Sequence, residues 1–330
     1  MEIGSFIELQ LPQEGEWFGS VSDRSIARLN SGRAAIYYAL LLTQCEEIWV
    51  PYYQCESVKT FLLKKHIKIH YYHIDRDYKP TDIRQSENEA VLIVNYFGIL
   101  SCDKIQHISE QYRHVIVDNS QAFFSPPLEN CYNVYSARKF IGSPDGAYVI
   151  GHKADRLMGQ LKQGYSSDTS LFLLQRIEYG CAGRAYQARL LNEQRIDKED
   201  VMIMSPLTQY ILRGTDYILI KKKRRENFEY VNSLLNRINC IDAMHDYADL
   251  CVPMIYPLVV ENDFLMDYLL QLGHYQGHWW NDIRDILPED FFEHYLARYM
   301  IPVTIDQRYD RKVLKTLCEA IIKFVEESKW

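Results

Sequence analysis

Residues 90–121 read AVLIVNYFGILSCDKIQHISEQYRHVIVDNSQ. The opening seven, Ala90–Tyr96, are almost wholly apolar, as a strand buried on both faces must be. Cys102–Tyr112 carries helical spacing. Val115–Val117 then starts a second β-branched run that ends in Asp118. Strand, helix and strand in that order form a βαβ unit, and such units build parallel sheets covered by helices.

The alternation continues on either side. Strands are predicted at Ile48–Tyr52, Ile67–Ile74, Asn133–Tyr135 and Ala147–Ile150, with helices at Arg33–Thr43 and Glu56–His66. The fold class is therefore α/β, with a largely parallel sheet between helices. From about Lys153 to Asn239 the pattern is helical, with long segments at Leu171–Leu191 and Thr208–Leu235. The basic run Lys221–Arg225 within the second reads as a solvated helix face in preference to an anion patch. A strand at Val252–Val260 and helices at Phe264–Leu272 and Arg311–Glu327 follow. A boundary near residue 236 would divide a large domain (1–235) from a small C-terminal α+β domain (236–330). No repeat, low-complexity segment or Pro/Gly-rich linker separates them, so the two should pack together.

Composition narrows the function classes. The 330 residues are 47% hydrophobic and 25% charged, an ordinary globular balance. A net charge of −7 gives no basic footprint for nucleic acid. No apolar stretch approaches the ~20 residues that span a bilayer. The start MEIGSFIELQ lacks the basic lead and long apolar core of a signal peptide. Eight scattered cysteines contain no C-x-x-C pair, which argues against zinc and redox motifs and for reduced thiols in a cytoplasmic protein. The ten histidines show no metal spacing. His278-Trp279-Trp280 reads as a packing cluster, with a substrate mouth as the second reading. Arg308 reads as half of an intramolecular pair more readily than as a ligand for a donor carboxylate.

Three segments carry candidate chemistry. Asn30-Ser31-Gly32-Arg33-Ala34-Ala35 precedes an apolar helical run. Ser31 or Asn30 can cap the helix, Gly32 allows close backbone approach, and the free amides of the first turn suit an anion such as phosphate. Taken alone, the segment reads as an ordinary N-cap with a glycine in preference to an anion site. Val115-Ile116-Val117-Asp118-Asn119-Ser120-Gln121 ends a strand in an acid, at the sheet edge where α/β proteins bind ligands. Asp118 could keep a ring nitrogen protonated, or simply cap a helix. Tyr135–Ala147 places Lys139 between a strand and a Pro-Gly turn, where a partly desolvated amine is nucleophilic. Ser136 and Arg138 beside it could contact a phosphate. The plain reading there is a surface Arg-Lys pair. Together, an anion site, a strand-end acid and a strand-end lysine match what pyridoxal phosphate needs for its phosphate, its pyridine nitrogen and its aldehyde.

The sequence resembles the DegT/DnrJ/EryC1/StrS family of sugar aminotransferases, fold-type I pyridoxal-phosphate enzymes. The likeness is carried by Ser31-Gly32-Arg33-Ala34-Ala35, Val50-Pro51-Tyr52-Tyr53, Asn95-Tyr96-Phe97-Gly98, Asp118-Asn119-Ser120-Gln121, Ser136-Ala137-Arg138-Lys139, Asp145-Gly146-Ala147 and residues 302–309, PVTIDQRY. It implies a large domain with a mostly parallel, seven-stranded type of sheet and a smaller C-terminal domain. It implies Lys139 as the Schiff-base lysine and proton shuttle, Asp118 at the pyridine nitrogen, and Gln121 at the 3-hydroxyl side. Gly32, Arg33 and Ser136 would hold the phosphate, and Tyr53 would lie against the ring. It further implies a homodimer whose active sites are completed by the partner chain, with the stretch around Met204–Tyr210 as the place for such a residue.

Three features depart from the family pattern. Ser136 lies three positions before Lys139, where the family's serine usually lies five before. Cys55 stands where the stacking aromatic normally does. The chain is also shorter than most members. The resemblance implies transfer of an amino group, with glutamate as donor, to a keto-sugar, nucleotide-linked by analogy. A sugar dehydratase is a second reading, opposed by Lys139, since such relatives carry histidine there. A binding or regulatory protein that kept the fold and lost turnover is a third.

Overall fold

The structure, a computed structural model, describes residues 6–327 except 276. In chain order its elements are β1 (Ile26–Leu29), α1 (Gly32–Thr43), β2 (Glu47–Pro51), α2 (Glu56–Lys64), β3 (Lys68–Ile74), β4 (Pro80–Thr81), β5 (Glu89–Val94), α3 (Cys102–Ser109), β6 (Val115–Asp118), β7 (Tyr132–Ser136), β8 (Ala147–Ile150) and β9 (Lys162–Gln163). There follow α4 (Leu171–Tyr179), α5 (Arg184–Lys198), β10 (Met202–Ile203), α6 (Pro206–Arg213), α7 (Tyr217–Leu235), β11 (Ile255–Val259), α8 (Leu265–Gln271), α9 (Ile283–Ile286), α10 (Phe292–Tyr299), β12 (Met300–Thr304) and α11 (Arg311–Glu327).

Ten strands form the main sheet in the order β4-β3-β2-β5-β6-β7-β8-β1-β10-β9. The seven from β3 to β1 are its body, and β4, β9 and β10 are two-residue additions. β3, β2, β5, β6 and β7 run parallel, while β8 is antiparallel to both β7 and β1. β1 therefore points the same way as β7 and β6. Their carboxyl ends, with the start of α1, share one rim of the sheet.

All six residues of β5 are buried, as its apolar run requires. Helix α1 buries Ala34, Ala35, Ile36, Tyr38, Ala39, Leu40 and Leu42. It shares a core on one face of the sheet with residues such as Ile48, Leu92, Ile116 and Val149. On the other face a second core runs without a break from Val91, Ile93 and Val117 to Leu258 of β11, Val303 of β12 and Leu314 and Ile321 of α11. The antiparallel β11–β12 pair and its helices are thus packed directly on the sheet.

Two expectations fail for local reasons. The long helical segments are each broken. Gly180 and Gly183 take positive φ between α4 and α5, a conformation that ends helices. Gly214 lies between α6 and α7, and a Cβ there would sit 2.8 Å from the Pro12 carbonyl oxygen. Strand β1 is missed by the sequence pattern because it carries Arg28 in its middle. That guanidinium pairs with the half-buried Glu16, its Nε donating at 2.8 Å.

Candidate active site

Loops leaving β1 and β7 and the one entering β8 are laced together at the rim. The Gly146 amide donates to the Asn30 carbonyl (2.9 Å), and the Ala137 amide donates to the Gly146 carbonyl (3.1 Å). The Asn119 amide donates to the Val134 carbonyl (2.8 Å), tying the end of β6 to β7. Gly146 has φ of 117°, and a Cβ on it would lie 2.9 Å from Thr208 Cγ2. Only glycine fits this crossing. The neighbouring Asp145 is wholly buried. Desolvation pushes its carboxyl up, against the donors Thr208 and Ser205. Met204, Ser205 and Thr208 are buried, so these three lie inside the protomer and not on a surface offered to a partner.

The predicted anion site takes shape here. Ser31 caps α1, its Oγ accepting from the Ala34 amide at 3.4 Å. A Cβ on Gly32 would meet Ser120 Oγ at 3.2 Å and Ser136 Cβ at 3.7 Å. Ser120 and Ser136 are both buried, and neither hydroxyl makes a hydrogen bond with a described residue. Two unpartnered hydroxyls beside the exposed amides of a helix start are donors suited to a phosphate. The arginines do not join them. Arg33 Nη2 reaches Asp197 of α5 at 2.7 Å, and Arg138 pairs with Glu193 of the same helix. Arg33 can thus offer its main-chain amide to the site, while its guanidinium is committed elsewhere.

Asp118 is buried at the end of β6. Its Oδ1 accepts from the Ser120 amide (2.9 Å), and its Oδ2 accepts from Gln54 Nε2 (3.1 Å). Among the described residues no cation pairs with it. Gln121 is also buried, with Oε1 accepting from the Phe97 amide at 2.9 Å. Asn95 bridges Asn119 and Ser125 from the end of β5.

Lys139 lies in a single 3-10 turn just past β7, three residues after Ser136. It is exposed and forms no hydrogen bond or ion pair with a described residue. The partial desolvation expected of it is therefore absent in the single chain: the loop is held by its backbone while the amine projects from the rim. Its neighbour Phe140 is firmly fixed. Gln307 Nε2 donates to the Phe140 carbonyl (2.9 Å), and the buried Arg224 guanidinium stacks on the Phe140 ring at 4.5 Å. Arg224 in turn donates to Gln307 Oε1 (3.0 Å) and to the Met254 carbonyl (2.9 Å). Burial pushes Arg224 down to about 10. The basic run read as a solvated face thus conceals a buried clamp on the lysine turn. Nothing in its spacing marks Arg224, Gln307 or Gln54 as site residues.

Tyr53 does not present a face to the rim. It is fully buried, edge-on to Trp280 at 4.3 Å and tilted against Tyr96 at 5.7 Å. Its hydroxyl has no hydrogen-bond partner among the described residues. The reason is Trp280, which covers the ring from the small C-terminal region, as the packing reading of that cluster expects. Tyr52 is stacked on Tyr71 and His73. Cys55 is half-buried, its Sγ 3.1 Å from Ser57 Oγ. Arg308 makes its fork with Asp306, at 2.8 and 2.7 Å.

No family model matches the chain, and no curated protein proves similar to it. Solved structures do match. A sugar aminotransferase, CalS13 from Micromonospora echinospora, superposes with a TM-score of 0.63 at 16% identity, covering 90% of this chain and 86% of that one. A DegT DnrJ EryC1 StrS aminotransferase from Brucella abortus gives 0.60 at 13% identity, over 91% and 85%. The chain shares the fold of these solved structures. An E. coli GDP-4-keto-6-deoxy-D-mannose-3-dehydratase with bound hydrated PLP shares this fold, with a TM-score of 0.62 at 14% identity over 90% and 87%. The shared fold extends over nearly the whole chain.

Proposed function

We propose that the protein is a pyridoxal-phosphate-dependent aminotransferase that moves an amino group, from glutamate as donor, to a keto-sugar carried on a nucleotide. One observation supports the reading above all. Two unpartnered serine hydroxyls at a helix start, an unpaired buried carboxylate and a free lysine leave neighbouring strands at one rim. They match the three ends of that cofactor in charge and hydrogen bonding. Fold alone would not carry function this far.

In this reading Ser120, Ser136 and the first amides of α1 bind the phosphate. Asp118 accepts the hydrogen bond of the ring nitrogen and balances its charge. Gln121, held by the Phe97 amide, would lie at the ring's 3-hydroxyl side. When bound, the cofactor supplies an electron sink for the carbanion left when the donor's Cα loses its proton. Lys139 Nζ takes that proton and redelivers it, which its freedom from any ion pair allows.

A homodimer belongs to the same proposal. Helix α4 buries none of its residues, and Leu171, Leu174 and Ile177 on it are exposed. The helix borders the lysine turn, with Leu173 Cδ2 3.7 Å from a Cβ built on Gly142. A second copy covering α4 would pack beside the loop that follows Lys139. The domain boundary near residue 236, at the end of α7, is retained as part of this proposal.

The test is spectroscopic. The purified protein with added pyridoxal phosphate should show a visible band that borohydride bleaches, fixing the label on Lys139; glutamate should convert it to the pyridoxamine form. A protein that takes up the cofactor but ignores every amino donor would point to the reading without turnover, which the sealed Tyr53 and the cysteine at position 55 favour. Failure to take up the cofactor ends the proposal.

A further inference from the structure

Gln54 has no part in the roles assigned above, yet its side chain is among the most constrained at the rim. It follows the carboxyl end of β2, two strands from β6, with β5 between. Its side chain reaches Asp118 across that gap and is 2% exposed. Both ends of the amide are committed. Oε1 accepts from the Cys55 amide at 2.7 Å, and Nε2 donates to Asp118 Oδ2 at 3.1 Å. The Cys55 N–H fixes which end is which, because only the oxygen can accept from it.

We propose that Gln54 is a positioning residue that keeps Asp118 an acceptor-only carboxylate, so that the proton it shares with the cofactor ring stays on the ring nitrogen. This rests on the pyridoxal-phosphate reading given above. A carboxylate oxygen has more than one acceptor site, so the amide leaves Oδ2 able to accept again. A hydrogen bond donated to a carboxylate favours its charged form. Residue type decides the rest. A lysine or arginine at position 54 would bind Asp118 as strongly, but its charge would repel a cationic ring. A glutamine amide stabilises the anion and leaves the ring as its counter-charge. With Ser120 N–H on Oδ1, both oxygens are held by neutral donors. A ring without an aromatic stacked on it, as the cysteine at position 55 implies, depends more on this polar hold.

The experiment uses the cofactor-loaded protein. Pyridoxal phosphate labelled with 15N in the ring is bound to the wild type and to Gln54→Met, which keeps the length and removes the donor. The nitrogen resonance reports directly whether the ring is protonated. The wild type should show a protonated nitrogen, and Gln54→Met should move toward the unprotonated position. Gln54→Asn, one methylene too short to reach, should behave the same and serves if the methionine variant does not fold. A nitrogen equally protonated in wild type and variants overturns the assignment and leaves the functional reading intact. A wild type that binds no labelled cofactor overturns both.

Discussion

Gln307 Nε2 donates to the carbonyl of Phe140, the residue next to Lys139, across 167 positions of sequence at 2.9 Å. The same side chain accepts from the buried Arg224. A residue of the last quarter of the chain thus holds the lysine turn. Gln307→Ala leaves the Phe140 carbonyl and Arg224 Nε without these partners. The expected cost is about 1–3 kcal/mol in urea unfolding, the range for stranding buried polar groups. If unfolding is unchanged, the clamp carries no stability.

Gly32 separates packing from ligand binding. A Cβ there would stand 3.2 Å from Ser120 Oγ, a tight contact that a hydroxyl rotation can relieve. Gly32→Ala should stay within about 1 kcal/mol of the wild type in stability, since alanine favours a helix. It should weaken pyridoxal phosphate binding by about tenfold, about 1.4 kcal/mol, and leave pyridoxal without its phosphate unaffected. Equilibrium titration with both compounds checks this; equal losses would place the phosphate elsewhere.

At Gly98 the backbone itself is the obstacle. Its φ is 73°, and a Cβ would lie 2.7 Å from the Gln121 carbonyl oxygen and 2.8 Å from that of Val252. Neither neighbour is a flexible side-chain end. Gly98→Ala should cost about 2–4 kcal/mol, combining backbone strain with overpacking. A thermal shift of only a degree or so would show that the 97–98 turn yields.

Arg308 gives a pH signature. Burial pushes the Asp306 carboxyl up, but the Arg308 fork outweighs it and holds the group below the usual carboxylate range. Its folded value lies beneath its unfolded one, so this stabilisation is full above about pH 4 and fades as pH falls through the folded value. Arg308→Met should cost about 1 kcal/mol at pH 7, a modest figure because the guanidinium is more than half exposed. The gap to wild type should narrow below about pH 4. A changed Michaelis constant for glutamate with unaltered unfolding would instead make Arg308 a donor ligand.

Ile177 is 83% exposed on α4, and a charge there has room in a lone protomer. Ile177→Glu should therefore fold normally and sediment as a monomer where the wild type sediments as a dimer. A wild type that is monomeric at micromolar concentration would remove the partner chain from the proposed site.

The sheet was legible because its strands are dense apolar runs. Ala90–Tyr96 and Val115–Val117 show the pattern of strands buried on both faces, and both lie at the centre of the sheet. The cap at Ser31 was legible from residue type. What stayed hidden depends on contacts distant in sequence. Arg28 disguises β1 because its partner Glu16 lies outside the strand. Gln54, Arg224 and Gln307 act through side-chain reach, which no spacing rule encodes. Tyr53 has the composition of a stacking ring, but Trp280, more than two hundred residues later, covers it. The exposure of Lys139 could not be read either, since a loop's burial is set by what packs on it.

The lacing of the rim bears on how the protein is made. β1 pairs with β8 and with Ile203 of β10, and the Asn30 carbonyl waits for the Gly146 amide. A nascent chain leaving the ribosome displays residues 26–32 long before any of these partners emerges. That early segment stays unpaired through the synthesis of well over a hundred residues, an interval in which a chaperone has something to hold. The rim beside Ser31 and Gly32 takes its final form only once Gly146 and Ile203 have been made.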